Sequence, residues 1–146
     1  MCDLKLYFSF IKLIKELNTP FLIGKYMADN FTYKYQAVGT KSPFQLYKEK
    51  IGDCNDFSRF ATYIATKHNY KTYQIRMTRI ESNIAHWLGV YVEDNKYTYS
   101  SNQYYYEVKF NDFKEVVDYY NKLKSRIWVD YEVYDYKMKI LEMGIK

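Results

Sequence analysis

The stretch Lys50-Ile51-Gly52-Asp53-Cys54-Asn55-Asp56-Phe57-Ser58-Arg59-Phe60-Ala61-Thr62-Tyr63-Ile64-Ala65 decides how the rest of the chain is read. Phe57, Phe60, Ala61, Ile64 and Ala65 recur at the spacing of one buried helical face, while Asn55, Arg59, Thr62, Thr66 and Lys67 fall on the other side. That pattern predicts a helix from Cys54 to about Asn69. Asp53 immediately precedes it as a helix cap, and Asp56 puts negative charge where the helix dipole favours it. Cys54 then lies in the first turn, a position where proteins lower a thiol pKa and make the sulfur nucleophilic.

Downstream of this helix the periodicity changes from helical to alternating. Strands are expected at about 72–80, 85–93 and 96–103, and the second of these (AHWLGVYVE) is apolar on both faces, as in a central strand. Phe110 to Lys124 returns to a helical pattern capped at Asn111, and Arg126 to Tyr134 alternates again, extended by Met138 to Leu141. Upstream, a helix over about 3–17 stops at Asn18-Thr19-Pro20, and a second covers about 20–29. Phe31 to Gln36 is extended, and Ser42-Pro43 opens a short helix through Lys48. The fold class is α+β, with helices first and an antiparallel sheet packed on the Cys54 helix. The 146 residues are expected to form one domain over 1–146.

Composition narrows the partners. The net charge of +5 and pI near 9.0 admit an anionic partner. The basic residues are scattered among Asp and Glu, however, so the expectation is a solvated surface and no nucleic-acid partner. Residues 4–14 (LKLYFSFIKLI) are interrupted by Lys5 and Lys12, and Leu4, Tyr7, Phe8, Ile11 and Ile14 follow helical spacing. They read as an amphipathic helix; no signal peptide, membrane span or membrane partner is expected, and the location is expected to be cytoplasmic. The two cysteines, Cys2 and Cys54, supply neither a disulfide framework nor a Cys-only zinc site. No metal and no cofactor are expected.

A nucleophilic thiol needs a base. His68 lies at the far end of the same helix, roughly 21 Å along its axis, which leaves His86, near the start of the central strand on the face shared with Leu88, Val90 and Val92. A third group should orient the imidazole, and Ser100, Ser101, Asn102 and Asp94 are the local candidates. Asp94 sits at the far end of the hairpin, roughly 26 Å along a strand. A loop of Glu93-Asp94-Asn95 with only Asn95 left-handed puts residue 86 opposite Asn102, whereas a two-residue Asp94-Asn95 loop puts Gln103 there. The first register is favoured, and with it Asn102.

Residues 50–58 resemble the Gly-Asp-Cys-x-Asp-Phe/Tyr-Ala signature of transglutaminase-like cysteine proteinases. Ser42-Pro43-Phe44-Gln45-Leu46 is similar to the Ser-Pro-x-Glu-x-Leu helix that leads into it, and His86-Trp87-Leu88-Gly89-Val90-Tyr91-Val92 to the family's His-Ala-Trp-Val-x-Val strand. The resemblance spans about residues 30–105. It implies a transglutaminase-like or papain-like fold and a Cys54–His86 pair that cleaves or transfers the acyl group of a peptide or protein amide substrate through an acyl-enzyme. It also implies an oxyanion hole made by the Cys54 N–H and one upstream donor, with Gln45, Tyr47 and Tyr35 as candidates. The family's third residue is Asp; here Tyr97 to Gln103 contains no carboxylate, so the arrangement would be Cys-His-Asn, and a catalytically idle binding or assembly domain is the alternative. Domains of this kind also occur in phages, and the Tyr- and Lys-rich composition is compatible with a viral member acting in an infected host cell.

Overall fold

A computed structural model describes residues 2–36, 39–79, 82 and 84–145. Four helices come before the main sheet: α1 (Cys2–Glu16), α2 (Pro20–Asn30), α3 (Pro43–Glu49) and α4 (Cys54–Lys67). Between them, β1 (Thr32–Tyr33) and β2 (Ile51–Gly52) form a short parallel pair. Then follow β3 (Thr72–Thr78), β4 (Ala85–Glu93), β5 (Lys96–Ser101), β6 (Tyr104–Phe110), α5 (Phe113–Lys124), β7 (Asp130–Asp135) and β8 (Ile140–Ile145). These six strands form one antiparallel sheet in the order β6-β5-β4-β3-β7-β8, so β4 is interior, as its two-sided apolar sequence requires. Of Cys2 only the backbone is described, and the expected end of β3 at Ile80 lies outside the described residues.

The starts of α2, α3 and α4 are those the sequence encodes. Thr19 and Ser42 cap α2 and α3, each followed by proline, and their hydroxyls accept from Leu22 N and Gln45 N. At α5 the cap is Asp112 and not Asn111; its carboxylate accepts from Glu115 N, while Asn111 N donates to the Glu115 side chain. The sheet also corrects two expectations. Tyr104–Phe110 is a sixth strand, reached through a turn at Asn102, and β7 begins at Asp130. Arg126–Val129 stays irregular because Asn121 holds Trp128 by both its backbone N–H (3.1 Å) and its carbonyl (3.2 Å).

Two cores flank the sheet. On one face, Phe57, Phe60, Ala61 and Ile64 of α4 pack with Phe10 of α1, Ile23 and Met27 of α2, Leu46 of α3 and Tyr91 of β4. On the other, Leu88 and Val90 of β4 pack with Phe113, Val116, Val117 and Tyr120 of α5, together with Trp128. Gly89 faces α4: a Cβ there would stand 2.9 Å from Ser100 Oγ and 3.4 Å from Thr62 Cγ2, so the close seating of α4 on the sheet needs glycine at this point.

Candidate active site

Helix α4 delivers Cys54. Asp53 accepts from Asn55 N and Asp56 N, and Asp56 reciprocates by accepting from Asp53 N at 3.0 Å, which completes a capping box. Asp56 also takes Lys41 N at 2.7 Å, tying the preceding loop to the helix start. Gly52 is required by proximity: a Cβ would lie 2.8 Å from Leu46 Cδ1 and 2.9 Å from Asp56 Cβ. Asp53 and Asp56 are both buried, and burial pushes the Asp53 carboxyl above its ordinary range. The two acids therefore hold the turn that fixes the thiol.

The register of the β4–β5 hairpin differs from the favoured one. Asp94 and Asn95 both have positive φ, 54° and 62°, so the loop has two residues and closes on Glu93 and Lys96. Pairing runs back to Gly89↔Ser100 and Leu88↔Ser101 and then stops, because Asn102, at φ 51°, turns the chain into β6. A two-residue hairpin closes on a hydrogen-bonded pair, and every second residue along β4 repeats that geometry. The backbone groups of Ala85 and Trp87 thus point toward β5, but β5 has already ended. Cys54 takes the vacant place: Sγ lies 4.0 Å from the Ala85 carbonyl oxygen, and the Trp87 N–H is directed at it. The sulfur sits in the plane of the sheet, at the open edge of β4.

His86 lies between these two residues in sequence, and its ring stands on the α5 face with Leu88 and Val90. It stacks on Tyr120 (ring centroids 5.0 Å apart) and Trp128 (6.1 Å). Nε2 lies 2.9 Å from Ser101 Oγ, and among the described residues Nδ1 makes no hydrogen bond. The partner on His86 is therefore Ser101, one of the candidates, and not Asn102. Asn102 sits in the turn with its Oδ1 buried and without a hydrogen bond. Gln103, which the two-residue register would bring opposite His86, donates instead to the Phe31 carbonyl at 3.2 Å. His68 is committed elsewhere, with Nε2 2.6 Å from the Ile14 carbonyl.

The proposed oxyanion side chains face away. Gln45 Nε2 is bonded to Glu49 on the exposed side of α3, and the Tyr47 hydroxyl lies 2.8 Å from Ser9 Oγ inside the first core. Tyr35 is 69% exposed. The donors directed at the sulfur are backbone ones, from Trp87, Asn55 and Cys54 itself. No side-chain motif announces the Trp87 N–H, which is why the sequence did not disclose it. Tyr33 and Tyr120 also feel the Cys54 charge, and Arg126 acts on both of them and on His86, so these three residues ring the site.

The electrostatics run against the helix-terminus expectation. Cys54 is 9% exposed, and burial pushes its thiol from 9.0 to about 11 despite the three backbone N–H groups. Burial first, then the charges of Arg126 and Lys124, lower His86 from 6.5 to about 4. At neutral pH both groups are uncharged, a thiol and a neutral imidazole. Among the described residues no cluster of His, Cys, Asp and Glu is arranged to hold a metal ion, and no helix is long and apolar enough to cross a membrane.

No protein-family model matches the sequence, and no curated protein matches it. Solved structures do. The chain is similar to Legionella pneumophila LapG, with TM-score 0.53 and 14% identity over 75% of this chain and 69% of that one. Against LapG treated with EGTA the TM-score is 0.56 at 13% identity, covering 100% of this chain and 83% of that one. A candidate cysteine protease from Cytophaga hutchinsonii gives TM-score 0.51 at 11% identity, over 88% of this chain but only 44% of the other. At such identities the likeness is one of fold alone: among the described residues, five helices and a six-stranded antiparallel sheet.

Proposed function

We propose that the chain is a cysteine hydrolase or acyl transferase acting on an amide of a peptide or protein, with residues 1–146 working as one catalytic domain. Cys54 is the nucleophile and His86 the base. The observation that supports this reading is the seating of Sγ against the backbone of Ala85 and Trp87, the residues on either side of His86 in sequence, whose Nε2 is held by Ser101 and whose Nδ1 is unspent.

A neutral pair dictates the order of events. The S–H proton passes to His86 as the sulfur attacks the carbonyl carbon, so the thiolate never accumulates in the resting protein. The developing oxyanion is met by backbone N–H groups at the start of α4. The imidazolium returns its proton to the leaving amine, and water or another amine then resolves the thioester. Ser101 holds the ring at Nε2, which leaves Nδ1 to take up the thiol proton.

The test is acylation by p-nitrophenyl acetate in a Cys2→Ser background, followed by intact-mass analysis. An acetyl group should appear on Cys54, with a rate that rises as pH passes about 4, where His86 becomes the free base, and is flat toward neutrality. His86→Gln should slow it about 100-fold or more. Equal rates in the two proteins would sink the proposal. They would favour the second reading, an idle domain that binds or assembles, which draws support from the buried neutral thiol and the missing carboxylate.

A further inference from the structure

A cavity of about 470 Å³ opens beside the cysteine, on the outer side of α4. Asn55, the residue after the nucleophile, and Trp87, whose N–H is directed at Sγ, both line it, so the cavity begins where a bound acyl chain would emerge from the site. Its walls are apolar and aromatic: Tyr63, Trp87, Tyr136 and Met138. The polar side chains lining it are mostly spent. Asn55 Nδ2 donates to Thr40 Oγ1 at 2.9 Å, Gln74 Nε2 to Ser58 Oγ at 2.7 Å, and Thr62 Oγ1 to the Ser58 carbonyl at 2.8 Å.

Arg59 is the exception. It stands one turn after Asn55 on α4 and is exposed, the one charged residue among those that line the cavity. Its carbonyl accepts from Thr62 Oγ1 at 3.3 Å, but among the described residues its guanidinium forms no ion pair and no hydrogen bond. Lys41, next to the lining residue Thr40, and Arg76, two residues beyond Gln74, are by contrast paired, with Glu49 and Glu132. A guanidinium left unpaired at an aromatic-walled hollow, with no carboxylate lining it, is complementary to one kind of peptide side chain.

We infer that this cavity is a substrate subsite that selects an acidic residue, Asp or Glu, near the scissile bond of a peptide, with Arg59 as the recognising group. The inference rests on Cys54 being the reacting centre, since that is what makes the cavity adjacent to chemistry. Recognition can nonetheless be read without turnover. The probe is three pools of fluorescein-labelled octapeptides, random except for one central position fixed as Glu, Gln or Lys, titrated by anisotropy against the full chain carrying Cys54→Ala.

The Glu pool should bind about tenfold tighter than the Gln pool, the increment of one charge-assisted contact. Arg59→Gln should erase that ratio, and Arg59→Glu should turn the preference toward the Lys pool. A Glu pool that binds no better than the Gln pool overturns the inference, as does a preference that survives Arg59→Gln. Arg59 is exposed on a helix, and far-UV circular dichroism of the variants verifies that the fold is intact. If acylation of Cys54 fails while the Glu preference depends on Arg59, the catalytic reading falls and the acidic-peptide site stands. If acylation succeeds without the preference, the reverse holds.

Discussion

Protonating His86 should destabilise the protein from within its second core. The imidazole is 8% exposed and stacked on Tyr120 and Trp128, and burial pushes it down to about 4 in the folded chain against 6.5 for the ordinary side chain. Between those two values the unfolded state binds a proton that the native state refuses. Stability therefore rises with pH across that window, is fully present above about 6.5 and is lost as pH falls toward about 4. Each pH unit is worth about 1.4 kcal/mol, so the whole interval amounts to roughly 3 kcal/mol, a large part of a domain's stability. Urea unfolding at pH 7, 6, 5 and 4.5 measures it. Carboxylates such as Glu49 and Asp94, whose pKa values are lowered by Lys41 and Lys109, also weaken the protein in acid, so the comparison is with His86→Gln. The variant keeps a side chain that can bond Ser101 and cannot take up the proton. Its loss between pH 6.5 and 4.5 should be smaller by about 2 to 3 kcal/mol. Parallel pH slopes in the two proteins would refute the argument that burial and the Arg126 and Lys124 charges keep His86 neutral.

Cys54 makes the mirror-image contribution: stability should fall by on the order of 2–3 kcal/mol between pH 9 and 11, and Cys54→Ala should flatten that limb of an alkaline urea series. Asp53→Ala removes the α4 cap and should cost about 1–2 kcal/mol, read as a lower Tm. Gly52→Ala presses a methyl against Leu46 and Asp56 and should cost about 1–3 kcal/mol, read from the urea midpoint. Asn121→Ala strands the Trp128 N–H and carbonyl in the core; about 2–3 kcal/mol should be lost, and tryptophan emission should shift to the red.

The sequence carried much of this architecture because helix α4 writes its buried face plainly, and because Asp53, Ser42-Pro43 and Thr19-Pro20 are local stop and start signals that act within a few residues. Strand β6 was hidden because it is an edge strand: Glu107, Val108 and Lys109 are all exposed, so no alternation survives to mark it. The hairpin register turned on whether Asp94, as well as Asn95, would adopt a left-handed conformation, a choice of small energy that shifts every downstream partner. The thiol pKa was a contest between a helix terminus, visible in sequence, and burial, which depends on what packs over the sulfur. The packing dominates.

The early end of β5 has a consequence for how such a site can be switched off. Were that strand three residues longer, it would pair with Trp87 and Ala85 and close the sheet, and the sulfur would be evicted from its berth. A seamless sheet and the Cys54 sulfur compete for the same carbonyl and the same amide proton. The site persists as an unfinished seam, and the Asn102 turn is the stitch that keeps it open.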